Sequence, residues 1–343
     1  MTAAPKVAVV IPNWNGSKHL EECLAALRGQ TLHGRMSVVV VDNGSTDDSP
    51  VVLARHADLV TVIANPENVG FAAACNQGML HERDSEFVAL LNNDAIPEPV
   101  WLESMIEAMD GDPSIGSCTP KVLSYDDRGR FDNAGHVVFA DGLTRGRGRL
   151  HDDVGQYERQ EEVFGPSGCA VLLRRSMLDD IGLLDEHFFA YCEDADLAFR
   201  ARLRGWRCVY VPAAVVYHKF SASGEPFSAF KALHVERNRL WLAVKNLPLP
   251  LLIVSPGFTL LRYVWQAYGA LAGRGASGRF TAHHSRGALV AVLLRAYLQA
   301  LAGLPRVLNQ RRTIQSRRTV STAEVWRWLR RYGVSARHMA LLE

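Results

Sequence analysis

The residues best suited to chemistry in this chain are acids and amides set at the ends of short apolar runs. Glu86-Phe87-Val88-Ala89-Leu90-Leu91 reads as a fully buried strand, and Ala95-Ile96-Pro97-Glu98-Pro99 closes it with two prolines. Between them stand Asn92, Asn93 and Asp94, at a strand's carboxyl end, where open α/β sheets bind ligands. A hard cation such as Mg²⁺ needs few protein oxygens when substrate phosphates supply the rest, so one strand-end Asp suffices. A plain polar turn accounts for the triplet as well. Asp42-Asn43-Gly44-Ser45-Thr46-Asp47 closes another apolar run. Its first carboxylate can accept hydrogen bonds from a base imide or a ribose hydroxyl, and an ordinary Asx turn is the competing reading. Glu193-Asp194-Ala195-Asp196 places three acids in four residues at a helix start. The helix dipole alone explains acids there; the alternative is a general base that takes the proton from an attacking hydroxyl. His218, after a further strand, either offers a nitrogen to the same metal or serves packing.

These residues need a scaffold, and the first hundred residues supply one by repetition. Val7–Ile11, Ser37–Val41, Leu59–Ile63 and Glu86–Leu91 are apolar, largely β-branched runs, each followed by polar residues. Between the first two, Leu20, Leu24 and Leu27 fall on one helical face. Continuous apolar strands alternating with helices predict a mostly parallel sheet covered on both faces, with one polar edge. Asn68-Val69-Gly70-Phe71 opens a helix of small residues through Gly78, which can approach a sheet or ligand closely; packing explains its alanines better than it explains Asn68 and Asn76. No G-x-G-x-x-G follows the first strand and no G-x-x-x-x-G-K-S/T occurs, which disfavours a dinucleotide site and a P-loop. From Val122 to Gly148 the chain reads as hairpins or a mobile loop. Gly165–Arg174 returns to a strand, Leu178–Gly182 is a short helix, and the helix from Asp194 stops at Gly205. Cys208–Val211 and Val215–His218 are strand-like, and helices are expected from about Phe230.

The net charge of +2 conceals an asymmetry. Residues 1–220 carry 20 Lys and Arg against 32 Asp and Glu, whereas residues 221–343 carry 18 against 4. An acidic first part and a basic second part suggest a catalytic domain joined to a segment that meets something anionic. In that segment basic residues alternate with apolar ones, as in Leu260-Leu261-Arg262-Tyr263-Val264-Trp265, a texture that suits a membrane surface better than a nucleic-acid groove. A solvated helical tail packed on the domain or on a second subunit fits the same residues. The six cysteines show no C-x-x-C pair, which speaks for a reducing compartment and against a zinc module. No charged-then-apolar signal segment precedes Lys6-Val7, and the apolar stretches 247–261 and 287–304 are broken by prolines or Arg295, so peripheral attachment is expected rather than a spanning helix.

Six motifs in order give the chain a resemblance to family 2 glycosyltransferases, and within them to bacterial rhamnosyltransferase-like enzymes of cell-surface polysaccharide synthesis. They are Ile11-Pro12-Asn13-Trp14-Asn15, Val41 to Asp47, Asn68 to Phe71, Leu91 to Asp94, Phe189 to Leu197, and His234-Val235-Glu236-Arg237-Asn238. The resemblance spans roughly residues 5–245. It implies a GT-A fold, a Rossmann-like, mostly parallel sheet with helices on both faces, and a C-terminal helical extension. The implied domains are a catalytic 1–229 (about 1–115 for the nucleotide, 116–229 for the acceptor) and a basic, apolar helical region 230–343. It implies that Pro12, Asn15 and Asp42 hold the nucleotide, that Asn68 and Asn76 line the donor pocket, and that Arg200, Arg202 and His218 lie near the diphosphate and metal. Arg237 joins the donor-binding set through the sixth motif. Asn92-Asn93-Asp94 stands where the family usually has Asp-x-Asp, so Asn92 and Asn93 flank the donor and Asp94 is the main ligand for Mg²⁺ or Mn²⁺. Asp194 takes the place of the family's catalytic base. Arg202-Leu203-Arg204-Gly205-Trp206 stands in place of the Gln-x-x-Arg-Trp of processive members, so one sugar is added per encounter.

The reaction so implied is inverting: Asp194 deprotonates an acceptor hydroxyl while the metal on Asp94, with His218, neutralises the leaving diphosphate. The expected donor is dTDP-rhamnose or a UDP-sugar. The expected acceptor is a saccharide or a polyprenyl-diphosphate-linked saccharide. Membrane contact or a homodimer through the C-terminal region, no nucleic-acid partner, and a cytoplasmic location at the inner face of the membrane complete the expectation. Two other classes remain open at this level: a sugar nucleotidyltransferase, and a non-catalytic module that binds a membrane surface.

Overall fold

The apolar runs become strands, and the helical spacing becomes helices, in the computed structural model, which describes residues 6–219 and 228–342. In chain order come β1 (Val7–Asn13), α1 (Ser17–Arg28), β2 (Met36–Asp42), α2 (Ser49–Arg55), β3 (Val60–Ala64), α3 (Phe71–His81), β4 (Phe87–Leu91), β5 (Ala95–Pro97) and α4 (Trp101–Asp110). Next are β6 (Ile115–Ser124), β7 (Phe131–Asn133), β8 (His136–Val138), β9 (Thr144–Gly146), β10 (Glu161–Val163), β11 (Ala170–Arg174), α5 (Arg175–Ile181), α6 (Glu193–Leu203) and β12 (Arg207–His218). The rest is helical: α7 (Ala229–Asn246), α8 (Leu249–Ala272), α9 (Gly275–His283), α10 (Arg286–Ala302), α11 (Leu304–Ser316), α12 (Thr322–Arg331) and α13 (Ala336–Leu341). They form two compact units, one from the described residues of 1–135, 146–190 and 206–223, the other from those of 136–145, 191–205 and 224–343.

The first unit is built on a sheet of order β10-β12-β6-β11-β4-β1-β2-β3, with β5 paired to β12 and β7 to β6. Strands β1, β2, β3 and β4 are mutually parallel, as the apolar runs predict. Beyond β4 the sheet is mixed: β11 runs antiparallel to both β4 and β6, and β10 runs antiparallel to β12. An apolar run reports burial on both faces but not direction, so this half was not legible as mixed. The two expected strands around 208–218 are one strand, β12, whose register on β6 shifts between Val211 and Val215. Helix α1 buries Leu20, Cys23, Leu24 and Leu27. Helix α3 lies close on the sheet because Gly78 meets Val10, whose Cγ1 would stand 2.4 Å from any added Cβ. Of the two readings of 122–148, hairpins or a mobile loop, the structure takes the first: β7 pairs with β6 and β8 with β9, and in β7 Phe131, Asp132 and Asn133 are all buried.

In the second unit α6 and α7 pack together with charged side chains buried at their contact. Asp196, fully buried, accepts from Arg200 Nε (2.8 Å), Lys245 Nζ (3.1 Å) and Asn246 Nδ2 (2.8 Å). Glu236 on α7 meets Arg239 of the same helix and Arg262 of α8, and Arg262 Nε also donates to Asp141 at 2.8 Å. Buried charges persist only where paired and hydrogen-bonded, and both clusters satisfy that condition. Serine N-caps begin α7, α10, α12 and α13, each hydroxyl accepting a backbone N–H of the first turn.

Candidate active site

The carboxyl ends of β1, β2 and β4 converge, as parallel neighbours must, and their polar residues form one network. Asp42, buried at the end of β2, accepts from Asn13 Nδ2 (2.8 Å) and Ser45 Oγ (2.6 Å). Asn93 Nδ2 donates to Asn13 Oδ1 at 2.7 Å, which ties the end of β4 to that of β1. Asn15 adopts a left-handed backbone, φ 50°, and its Oδ1 accepts from Thr46 N at 2.7 Å. Pro12 precedes it in β1, opposite Val41. The structure thus brings Pro12, Asn15, Asp42 and Asn93 together, with Asn13 and Ser45 as linkers that the sequence reading did not single out. Gly16 is required here, because a Cβ would fall 2.0 Å from Asn93 Nδ2.

Asn68 and Asn76 have other local duties. Asn68 Oδ1 accepts from Gly70 N at 2.9 Å and shapes the turn before α3. Asn76 is buried; its Nδ2 donates to the Leu184 carbonyl and to Glu186 Oε1, each at 2.9 Å, and its Oδ1 accepts from Leu184 N at 3.1 Å.

Asp94 and His218 are neighbours because β5 pairs with β12, which sets His218 opposite Ala95. His218 Nε2 lies 3.3 Å from Asp94 Oδ1, and its Nδ1 lies 2.7 Å from Asp132 Oδ2. Asp132 is held in turn by the Arg149 guanidinium. Burial opposes charge at all three groups, yet each holds it: the His218 contact keeps the Asp94 and Asp132 carboxyls below their ordinary range. Cys169, Asp132 and Asp94 raise the proton affinity of His218 well above the usual histidine value against that same burial. Asp94 Oδ1 and the Asn92 side-chain oxygen are buried without a hydrogen-bond donor. Asp94 Oδ1 and His218 Nε2 face each other, and a divalent cation would take the place of the Nε2 proton between them, with Asp132 fixing the imidazole from behind. No cluster of three or more His, Cys, Asp or Glu ligands exists among the described residues, so diphosphate and water must complete any coordination sphere. Asp132 was missed in the sequence because it lies in the stretch read as hairpins or a mobile loop; its signal was a carboxylate between Phe131 and the apolar Val137-Val138.

In the second unit the three acids of α6 separate into different states. Asp196 is neutralised in the cluster described above. Glu193 is buried, its Oε2 has no donor, and burial together with the charges of Asp194 and Asp196 pushes it up to about 8. Asp194 keeps a quarter of its side chain open (25%), accepts from Ala195 N at 2.7 Å and faces His136 Nε2 at 3.4 Å. The chain reaches Asp194 through left-handed Tyr191 (φ 71°) and Cys192 (φ 68°), an uncommon run for residues with side chains. Asn238, fully buried on α7, holds this turn by donating to the Tyr191 carbonyl at 2.8 Å. Arg200 is spent on Asp196, Arg202 stacks over Trp328 and Tyr332, and Arg237 lies over Trp241 with Nε donating to Asn238 Oδ1.

Comparison with known proteins gives three findings. Residues 8–182 match the family model "Glycosyl transferase family 2". An N-acetylglucosaminyl-diphospho-decaprenol L-rhamnosyltransferase of Mycobacterium tuberculosis is 28% identical over 265 residues, 69% of this chain and 84% of that one. Among solved structures, GalNAc-T7 with UDP, GalNAc and Mn²⁺ superposes with a TM-score of 0.59 at 15% identity, over 71% of this chain and about half (48%) of that one. Staphylococcus aureus TarS 1–349 does so with 0.53 at 19% identity, over 94% and 91%. Both are GT-A glycosyltransferase structures, and the likeness is one of fold.

Proposed function

From the premise that the chain belongs to the family 2 glycosyltransferases and acts on sugar nucleotides, we propose that it transfers a single sugar, with inversion, to a hydroxyl of a saccharide or lipid-linked saccharide. Asp194 accepts the proton of the attacking hydroxyl. This rests on one observation: of the three acids on α6, Glu193 is buried, with its proton affinity raised by that burial, and Asp196 is fully buried on Arg200 and Lys245, whereas Asp194 keeps a quarter of its side chain exposed beside His136. Inversion needs one base and no carboxylate nucleophile. The buried Asp42 receives the base or ribose of the nucleotide, within the amide network that joins β1, β2 and β4.

Asp94 and His218 would hold Mg²⁺ or Mn²⁺, which when bound neutralises charge on the leaving diphosphate. Asp132 orients the His218 ring through Nδ1, leaving Nε2 for the ion. The mycobacterial relative, by its name, carries L-rhamnose to a diphospho-decaprenol-linked N-acetylglucosamine. By extension, dTDP-rhamnose is the first donor to try and a polyprenyl-diphosphate-linked sugar the first acceptor, with UDP-sugars next. Such an acceptor would place the enzyme at the inner face of the cytoplasmic membrane. The sugar nucleotidyltransferase reading gives way to the family match.

The test is a thermal-shift and donor-hydrolysis panel of dTDP-, UDP- and GDP-sugars with and without Mg²⁺ or Mn²⁺. A ligand at a hundredfold excess over its Kd stabilises the native state by about 2.7 kcal/mol. One nucleotide class should raise Tm in a metal-dependent way. Asp94→Ala should abolish the metal dependence, and Asp194→Asn should bind the donor but not turn it over. No response to any nucleotide, or full turnover by Asp194→Asn, would overturn the reading.

A further inference from the structure

Helix α8 is inside out. Its buried side carries Ser255, Thr259 and Arg262, with Arg262 only 1% exposed and bonded to Glu236 and Asp141. Its open side is apolar: Leu249, Ile253, Leu260, Val264 and Leu271 recur at steps of four and seven, each between 59% and 69% exposed. Every exposed residue along its 24 is apolar, Gly or Pro, apart from the hydroxyl of Tyr268. A helix on a water-facing surface has the opposite polarity, and monomers rarely expose contiguous apolar patches beyond a few hundred Å². At 1.5 Å per residue the stripe is about 33 Å long. The neighbouring α10, joined to α8 by the Tyr263–Tyr297 hydroxyl contact at 3.0 Å, shows a second stripe of Val290, Leu294, Leu298 and Leu301, each more than half exposed.

Charge selects the occupant. Between Glu236 and Glu324 the sequence has 13 Lys and Arg and no Asp or Glu. A second copy docked by the same face would bring cations against cations with no acid to answer them, whereas a bilayer with anionic headgroups satisfies both the cations and the apolar stripes. Arg274, Arg286 and Arg295 are exposed along and beside the stripes, where each can reach headgroups. No single helix among the described residues is long and apolar enough to cross a membrane, and α10 and α11, which pass that test only together, bend by 61° at their break. We propose that the α8–α10 face of the second unit lies in the plane of an anionic lipid surface, with the apolar stripes in the acyl boundary and the arginines at the phosphates.

The experiment is co-sedimentation of the full chain with phosphatidylcholine vesicles and with phosphatidylcholine–phosphatidylglycerol vesicles, together with sedimentation velocity without lipid. The chain should partition onto the anionic vesicles at least tenfold more strongly than onto the neutral ones. Leu260→Gln/Val264→Gln, two exposed positions whose change leaves Tm unaltered, should lower that partition at least tenfold. Arg286→Glu/Arg295→Glu should erase the preference for anionic lipid. Binding that ignores both double variants, or no binding to either vesicle, overturns the proposal. So does a lipid-free dimer that Leu260→Gln/Val264→Gln dissociates in the absence of vesicle binding. Donor-induced thermal shifts report on the first unit and are independent of each outcome, so failure here leaves the glycosyltransferase reading to its own test.

Discussion

Replacing Glu236 by Gln should be among the most destabilising isosteric changes available to the second unit. Glu236 Oε1 accepts from Arg239 Nε (2.8 Å), Arg262 Nη2 (3.0 Å) and Tyr263 Oη (2.6 Å), and both arginines are 1% exposed. Gln keeps the shape and removes the charge, leaving two buried guanidinium groups to share Asp141. Removing one partner of a buried pair costs about 3–5 kcal/mol. The shift in the Glu236 proton affinity leads to a similar figure. Burial works against the charge, but Arg239, Arg262 and the Tyr263 hydroxyl hold Glu236 at about 2, against an ordinary 4.5. That difference corresponds to roughly 3 kcal/mol of linkage, in line with the first figure. A depressed carboxylate contributes stability that is complete above its unfolded value of 4.5 and lost as pH falls through about 2. Fluorescence-detected urea unfolding should therefore show Glu236→Gln less stable by about 3 kcal/mol at neutral pH, with the gap to wild type closing on acidification through that window. A loss under about 1 kcal/mol, or a gap that does not change with pH, would refute the assignment of this cluster as a paired core.

Two further outcomes follow from the site residues. Asp132→Asn removes the carboxylate behind His218 while leaving Asp94 in place, and should weaken Mn²⁺ binding in the presence of a nucleoside diphosphate by about 10–100-fold in calorimetric titration; an unchanged affinity would mean that Asp132 does not position the imidazole. Glu193 is shifted the other way, to about 8 from 4.5, so it contributes stability that is full below 4.5 and is lost as pH rises through about 8. Glu193→Gln should accordingly gain on wild type by up to about 5 kcal/mol above that pH and little below pH 5; Tm differences equal at the two ends would contradict a protonated, buried Glu193.

Residues that were legible in the sequence share one property: their role depends on local position in a strand–turn–helix unit. β1, β2 and β4, the Asp42 turn and the Asn92-Asn93-Asp94 terminus follow from continuous apolar runs buried on both faces, whereas β3, at the edge of the sheet, buries only Val60. Asp194 stood out as a carboxylate at a helix start, but only the family resemblance, not the residues themselves, set it apart from Glu193 and Asp196. That distinction depends on Arg200 and Lys245, which pair the Asp196 charge, and on Asn246, which donates to it; Lys245 and Asn246 are some fifty residues away. Asp132 and His136 were missed for a related reason. They sit on short strands whose pairing with β6 and β9 leaves no periodic signal, so a composition rich in Asp, Arg and Gly reads as loop. Arg200 and Arg202 entered the donor-binding set through the resemblance alone, and neither the pairing of Arg200 with Asp196 nor the stacking of Arg202 on Trp328 and Tyr332 could be read from the sequence.

Helix α8 shows where periodicity reaches its limit as a guide. Its apolar positions repeat at helical spacing, and the usual inference turns such a stripe inward. The direction is set instead by Arg262, whose guanidinium can leave water only if two carboxylates meet it, and Glu236 and Asp141 do so from elements remote in sequence. Once that cation is fixed inside, the apolar stripe cannot also point inward: Ile253, Leu260 and Val264 lie on the opposite side of the same helix and are left open. The buried ionic cluster and the exposed apolar face are thus one feature seen from two sides. A variant that dismantles the cluster should therefore loosen the face as well, so Glu236→Gln is expected to weaken vesicle binding even though Glu236 itself is buried and remote from lipid.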